Sequence, residues 1–216
     1  MLRDFATGAL DPAAALVVRT HAEMCFRCAG EIALAEVVAG AMLAEIEPEE
    51  LSPDMFHRIM ARIDAEDARL LTLPRALPST VPAPPPAWAA HLPDTLRAVV
   101  ARSPRRRWRL ILPGVRSLEL DVPGSVTGAR MLRIAPGAGI PHHGHGGEEL
   151  TLVLGGAFWD EQASYVRGDL AVSTATTTHR PTAFGDTPCL CLAVTAAPLR
   201  FTGPLGMIQR AFSRRG

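Results

Sequence analysis

The sequence predicts an α+β multidomain fold: a small helical bundle at the N-terminus, a Pro-rich linker, and an antiparallel β-barrel at the C-terminus. Residues 1–72 are dense in Ala, Leu, Glu, Met and Arg, which favour helix. Residues 73–87 contain six prolines. From Trp108 onward, short runs of Val, Leu, Ile and Thr alternate with Pro-Gly and Gly-Gly turns, a pattern typical of a barrel or sandwich. The length of 216 residues suits two domains, which we predict at 1–72 and 88–216.

Three helices are predicted in the N-terminal domain. The first begins at Asp11-Pro12, where the acid serves as N-cap and Pro occupies the first turn. The second is predicted from Glu31 to about Glu47 and is ended by Pro48. The third begins at Ser52-Pro53-Asp54, with Ser52 as its cap. Its apolar residues recur at helical spacing: Phe56, Ile59, Met60 and Ile63.

The residues after this domain are predicted to change from linker to barrel. The linker, residues 73–87, is expected to be semi-rigid and extended where prolines adjoin. A short helix from Pro93 to Arg102 is predicted to follow it. The predicted strands are Val115–Asp121, Ala129–Ala135, Leu150–Leu154, Leu170–Ser173 and Cys189–Ala196.

The zero net charge hides an asymmetry between the two halves. Residues 1–72 hold 13 acidic and 6 basic side chains, a net of −7, and residues 73–216 carry the opposite net of +7. An acidic module is steered toward a basic partner and away from nucleic acid. The other interpretation is that acidic helix faces only keep a small domain soluble.

The chain is expected to be cytoplasmic. It contains no apolar run near the roughly 18 to 20 residues that cross a bilayer, and its N-terminus lacks the pattern of a signal peptide. Its four cysteines form two close pairs, Cys25/Cys28 and Cys189/Cys191. In a reducing compartment, such pairs point to metal or redox chemistry rather than to disulfides.

The first candidate metal site is His21-x-x-x-Cys25-x-x-Cys28. On one helix, this spacing places the three side chains on one face. Imidazole with two thiolates suits tetrahedral zinc, although a structural site needs four ligands. Two other interpretations remain open: a redox pair, and buried cysteines beside an incidental His.

The second candidate metal site is His143-x-His145-x-x-x-Glu149, with His179 as a fourth ligand. Two His residues two positions apart on a strand point to the same face, and Glu149 follows after a turn. Such nitrogen and oxygen ligation suits Zn, Mn, Fe, Ni or Cu. The neighbours His142 and Glu148 are predicted to point away. The alternative is a His- and Gly-rich turn that binds nothing.

Cys189 and Cys191 are predicted to face the same side of one strand. With Leu190 and Leu192 on the other face, they are interpreted as ordinary buried thiols, or as thiols with a redox or metal-adjacent role.

The two motifs in this order, joined by a Pro-rich segment, resemble the ChrR family of zinc-binding anti-sigma factors, with a cupin-type barrel in the second half. The resemblance rests on LVVRTHAEMCFRC in the first half, and on PHHGHGGEELTLVLGGAFWDE, YVRGDL and His179 in the second. It covers nearly the whole chain. It implies zinc at the first site, and zinc or another divalent transition metal in the cupin. The family's fourth ligand of the first site, a His, would be expected upstream of Met1.

The resemblance implies a regulator that is not an enzyme. The helical domain would sequester an extracytoplasmic-function sigma factor in the cytoplasm, and the cupin domain would be needed for its release under singlet oxygen or organic peroxide. No direct contact with nucleic acid or membrane is expected. One alternative is a metal-dependent cupin dioxygenase or related enzyme with a helical accessory module. The other is DNA binding by the basic stretch 103–109, which lacks a recognition-helix pattern.

Overall fold

The computed structural model describes residues 1–72, 87–103, 107–198 and 200–201. The helices in these ranges are α1 (Leu2–Ala6), α2 (Pro12–Ala22), α3 (Phe26–Ala44), α4 (Met55–Thr72) and α5 (Asp94–Arg102), with a 3-10 turn at Ala87–Ala89. The first six strands are β1 (Arg109–Leu112), β2 (Val115–Leu120), β3 (Gly128–Ile134), β4 (His143–Gly144), β5 (Glu149–Gly155) and β6 (Ala157–Trp159). The others are β7 (Ser164–Val166), β8 (Leu170–Ser173), β9 (Thr178–His179), β10 (Thr182–Phe184), β11 (Cys189–Thr195) and β12 (Arg200–Phe201).

Some helix boundaries agree with those predicted from the sequence, and others differ. Asp11 caps α2, accepting a hydrogen bond from the backbone N–H of Ala13, as predicted. The predicted second helix was wrong at both ends: α3 begins at Phe26 and ends at Ala44. It ends early because the next two amide groups bond three residues back, which tightens the last turn before Pro48. No described helix is both long and apolar enough to cross a membrane.

The predicted strands are confirmed, and they form antiparallel sheets. The largest sheet has the order β1-β2-β3-β11-β5-β8, and two three-stranded sheets have the orders β10-β6-β7 and β12-β4-β9. All registered strand pairs among the described residues are antiparallel. The predicted fold class, a helical N-terminal region followed by an antiparallel cupin-type β-structure, is confirmed. The predicted linker at residues 73–87 lies almost wholly outside the described residues.

The strands β5 and β11 of the six-stranded sheet are covered on both faces, and each face packs into a different core. On β5 and β11, every second side chain enters a core that includes α2 and α5, with Leu150, Leu152 and Leu192 at its centre. The intervening side chains enter the interior between the sheets, where Val153 and Cys191 pack with Phe158 of β6. Because side chains alternate along a strand, a residue's neighbours on β5 or β11 always belong to the opposite core.

The chain divides into two compact units. One comprises residues 1–36 together with 84–216, and the other comprises residues 37–83. In the first unit, α2 packs against α5, β5 and β11. In the second, α4 buries none of its described side chains. The domain boundaries predicted from the sequence, at residues 72 and 88, concern independent folding and stay a prediction.

Asp11 joins the start of α2 to the turn between β2 and β3. Its carboxylate accepts hydrogen bonds from the hydroxyls of Ser125 and Thr127, both at 2.6 Å, and from the backbone N–H of Val126 at 2.9 Å. Burial opposes ionisation, but these bonds and the one from Ala13 outweigh it and hold the pKa of Asp11 well below the usual carboxyl range. The ionised carboxylate thus helps to hold α2 on the sheet.

Asp11→Ala should lower the free energy of unfolding by about 2 kcal/mol at pH 7, because it removes an N-cap and three charge-assisted bonds. A group with a depressed folded pKa stabilises above its unfolded pKa and loses that contribution as pH falls. The deficit should therefore shrink below about pH 4. Urea unfolding at pH 7 and at a pH below about 4 measures the loss of unfolding free energy. Asp186→Ala, at an exposed turn residue, is the control. An equal deficit for both variants would contradict the assignment.

Candidate metal centres

Four predicted ligands of the barrel lie together in the first unit. His143 is on β4, His145 follows that strand directly, Glu149 opens β5, and His179 is on β9. One ligand atom of each residue lies within 4.8 Å of those of the other three. His143 is the register partner of His179 in the sheet, which brings these two imidazoles together. The three histidines are buried and Glu149 is half-buried.

Outer hydrogen bonds orient two of these imidazoles. His143 Nδ1 lies 2.8 Å from the carbonyl oxygen of Pro141, and His179 Nδ1 lies 2.8 Å from a carboxylate oxygen of Asp160. In each case Nδ1 donates, which leaves Nε2 with a lone pair toward the centre. His145 Nε2 lies 3.1 Å from His179 Nε2, so these two nitrogen atoms face the same point. Histidine ligands of metal ions are oriented by outer partners of this kind.

The charge of the barrel group fits a divalent cation. Burial lowers the pKa of His143 to about 4 and also lowers the pKa of His145, so both are neutral at pH 7, the form that binds metal. Glu149 and the buried Asp160 add two negative charges. In the described parts of the chain, their ion-pair partners are imidazoles. The Nδ1 atom of His145 is buried without a hydrogen-bond partner. A dication would balance both carboxylates.

The turn between His145 and Glu149 is held close to the segment after β11. A Cβ atom on Gly146 would lie 2.9 Å from Cβ of Ala197, so glycine permits this approach. Thr195 and Thr151 donate hydrogen bonds to the carboxylate of Glu149, at 3.1 and 3.4 Å. His142 and Glu148 are exposed, on the side away from the group, as the alternation predicts.

His21, Cys25 and Cys28 also lie together, although not on one helix as the spacing suggested. His21 lies near the end of α2, Cys25 lies in the turn before α3, and Cys28 lies in the first turn of α3. The helix breaks because Glu23 bonds the backbone N–H of Thr95 in α5, at 3.1 Å, and Met24 packs against the core under α2. The prediction that the three side chains share one helical face was therefore wrong. They nevertheless converge, since their ligand atoms lie within 4.8 Å of one another.

The thiols of this N-terminal group differ in their surroundings. The backbone N–H of Cys28 bonds the Cys25 sulfur and lowers the pKa of that thiol, as expected ahead of a helix N-terminus. Burial raises the pKa of Cys28, whose sulfur lies 3.3 Å from Nε2 of His21. The other ring nitrogen of His21 is buried without a partner. Asp4 on α1 pairs with the N-terminal amine at 2.7 Å.

Cys189 and Cys191 lie on β11 with their sulfur atoms 3.5 Å apart in the interior core. Hydrogen bonding to Cys189, together with full burial, raises the pKa of Cys191. The sulfur atoms belong to neither group of converging ligands.

Sequence reasoning missed Asp160, which bonds His179 and also accepts the backbone N–H groups of Gln162 and Ala163 through its other oxygen. The signal available was its place two residues after the inward Phe158 and directly after β6, where continued alternation would direct it inward too.

Comparison with known proteins places this geometry in a family. Residues 97–198 match the ChrR cupin-like domain. The chain is 36% identical over 214 residues to the anti-sigma-E factor ChrR of Cereibacter sphaeroides, covering 99% of this chain and 95% of that protein. It is also similar to a chain of the crystal structure of Rhodobacter sphaeroides SigE in complex with the anti-sigma ChrR, with a TM-score of 0.68, 33% identity, and coverage of 90% of this chain and 94% of that one. The chain belongs to the ChrR family of anti-sigma factors.

Proposed function

We propose that this protein is an anti-sigma factor that sequesters an extracytoplasmic-function sigma factor in the cytoplasm, through helices α3 and α4. It acts by binding rather than by catalysis. The observation that carries the proposal is an exposed apolar surface on these helices. The sigma-binding relative and the similar complex support this kind of partner.

The apolar helical surface lies in the second compact unit and consists of large side chains that are exposed. These are Val37, Val38, Met42, Leu43 and Ile46 on and after α3, and Phe56, Ile59, Met60 and Ile63 on α4. The α4 residues recur at helical spacing, so they form one stripe along an amphipathic helix. A surface of this extent marks a protein interaction site, and an apolar stripe of this kind is buried when a helix binds a groove.

The charge of residues 1–72, a net of −7, supports the choice of partner. A sigma factor contacts promoter DNA and so presents basic surfaces, which an acidic module would complement. Complementary charge speeds association and disfavours wrong partners more than it adds affinity.

We also propose that His21, Cys25 and Cys28 hold zinc, and that His143, His145, Glu149 and His179 hold zinc or another divalent transition metal. Two thiolates with an imidazole are typical zinc ligands, whereas three imidazoles and a carboxylate accept several metals. A bound ion would add folding free energy to the turn between α2 and α3 and to the barrel interior.

Release of the sigma factor under oxidative stress, by singlet oxygen or organic peroxide, is proposed to depend on the cupin barrel. The packing of α2 supports a connection: its buried face contacts β5 and β11, and His21 lies near its end. Glu149 is the first residue of β5. A rearrangement around Glu149 can therefore reach the N-terminal group through one packed helix. Oxidation of Cys25 and Cys28 is the other candidate trigger, since it would remove two ligands.

Two metal ions per chain are expected by elemental analysis of the purified full-length protein. Cys25→Ser should remove one, and His145→Ala should remove the other, because each variant deletes a ligand of a different group. Cys189→Ser and His142→Ala are matched controls that should keep both ions. Loss of an ion in either control, or retention of both ions in Cys25→Ser and His145→Ala, would contradict the ligand assignments.

Phe56→Asp should weaken the one-to-one complex with the cognate sigma factor by about 30-fold or more, because a charge would replace a large aromatic side chain of the apolar helical surface. The matched control is Leu110→Asp on β1, since Leu110 is 67% exposed and Phe56 is 68% exposed. Titration of labelled sigma factor measures both affinities. Equal affinities for the two variants would contradict the apolar helical surface as the binding site.

A further inference from the structure

A cavity of about 650 Å³ opens beside the barrel group. Its walls are mostly apolar, and its main apolar residues are Ile111, Leu112, Val126, Leu132, Ile140 and Phe201. Three polar residues also line it: Arg130, Glu149 and Thr195. The volume is in the range of small-molecule sites, in which a few polar groups orient a largely apolar ligand. Glu149 belongs to both the cavity wall and the candidate metal group, so the cavity reaches that group.

Arg130 is the cationic residue of this cavity wall, and its charge has no partner among the described residues. Its Nε atom is buried without a hydrogen bond. Among the described residues, the carboxylates of Glu119 and Glu149 on nearby strands form no ion pair with it. Glu119, its register partner on β2, accepts a bond from the Ser117 hydroxyl, and Glu149 accepts bonds from two threonine hydroxyls. A half-buried guanidinium without an acceptor is costly, and its planar donors match a carboxylate.

The sheet register places Arg130 at a useful distance from the barrel group. Ala193 of β11 pairs with Arg130 on one side and with Thr151 on the other, and Glu149 lies two residues before Thr151 on β5. Arg130 and Glu149 therefore lie on strands separated by two strand spacings, roughly 10 Å. Both residues line the cavity, so a ligand bound by Arg130 shares that cavity with Glu149 of the barrel group.

We propose that this cavity is a binding site for a small amphipathic carboxylate, whose head group is bound by Arg130 and whose apolar body lies against the cavity walls. The apolar walls exclude a purely polar anion such as phosphate as the best ligand, because it would leave them in contact with water. The unpaired guanidinium favours an acid over a neutral molecule of equal size.

Octanoate and 1-octanol, which differ only in the head group, test the proposal by isothermal titration of the full-length, metal-loaded protein. Octanoate should bind at least about tenfold more tightly than octanol, the worth of one charge-assisted hydrogen-bond pair. Arg130→Gln should abolish that preference. Arg130→Lys should retain part of the preference for octanoate, because Lys keeps the positive charge but lacks the planar pair of donors that matches a carboxylate.

Arg133→Gln is the matched control, since Arg133 lies on the same strand, is exposed, and does not line the cavity. It should bind both probes as the wild type does. The proposal would be overturned by a wild-type protein that does not prefer octanoate. It would equally be overturned by an unchanged preference in both Arg130 variants, which would place the carboxylate elsewhere, including on the metal.

Discussion

The strands β5 and β11 of the six-stranded sheet are covered on both faces, and this constraint determines most of the first compact unit. One face needs the apolar side of α2 and α5, and the other encloses the interior that holds the histidines. Since β5 and β11 send alternate side chains to the two cores, the helix and the barrel interior share the same strands. Folding of the barrel therefore also forms the surface on which α2 packs. Asp11 holds the start of that helix through its hydrogen bonds to the β2–β3 turn.

Because α2 is packed on these strands, the position of His21 in the N-terminal group is fixed by the first unit. His21 lies near the end of α2, and Glu23 attaches the following turn to the start of α5, so Cys25 and Cys28 approach His21 where α3 begins. The second unit contrasts with this arrangement, because its large apolar side chains are exposed. A run of exposed apolar side chains along the helices of the second unit is suited to binding a partner through that surface.

The sequence predicted the barrel better than the helices. Strand alternation with Pro-Gly and Gly-Gly turns located the five main strands, and the spacing of His143, His145 and Glu149 predicted their convergence. The break between His21 and Cys28 could not be read from local propensity, because it depends on Glu23 meeting α5, seventy-two residues away. Asp160 and Arg130 were missed because a charged residue in or after a strand is ordinarily solvent-facing. The stripe on α4 was predicted, but periodicity shows that a face is apolar and not what covers it.

The central claim is that the apolar helical surface is covered by a sigma factor. Amide hydrogen exchange of the free protein and of its complex with the cognate sigma factor tests it most directly, since exchange reports burial and stabilisation segment by segment. Strong added protection is expected in residues 37–72, with smaller changes on the strands of the six-stranded sheet. Added protection confined to the barrel, with residues 37–72 exchanging as in the free protein, would contradict it.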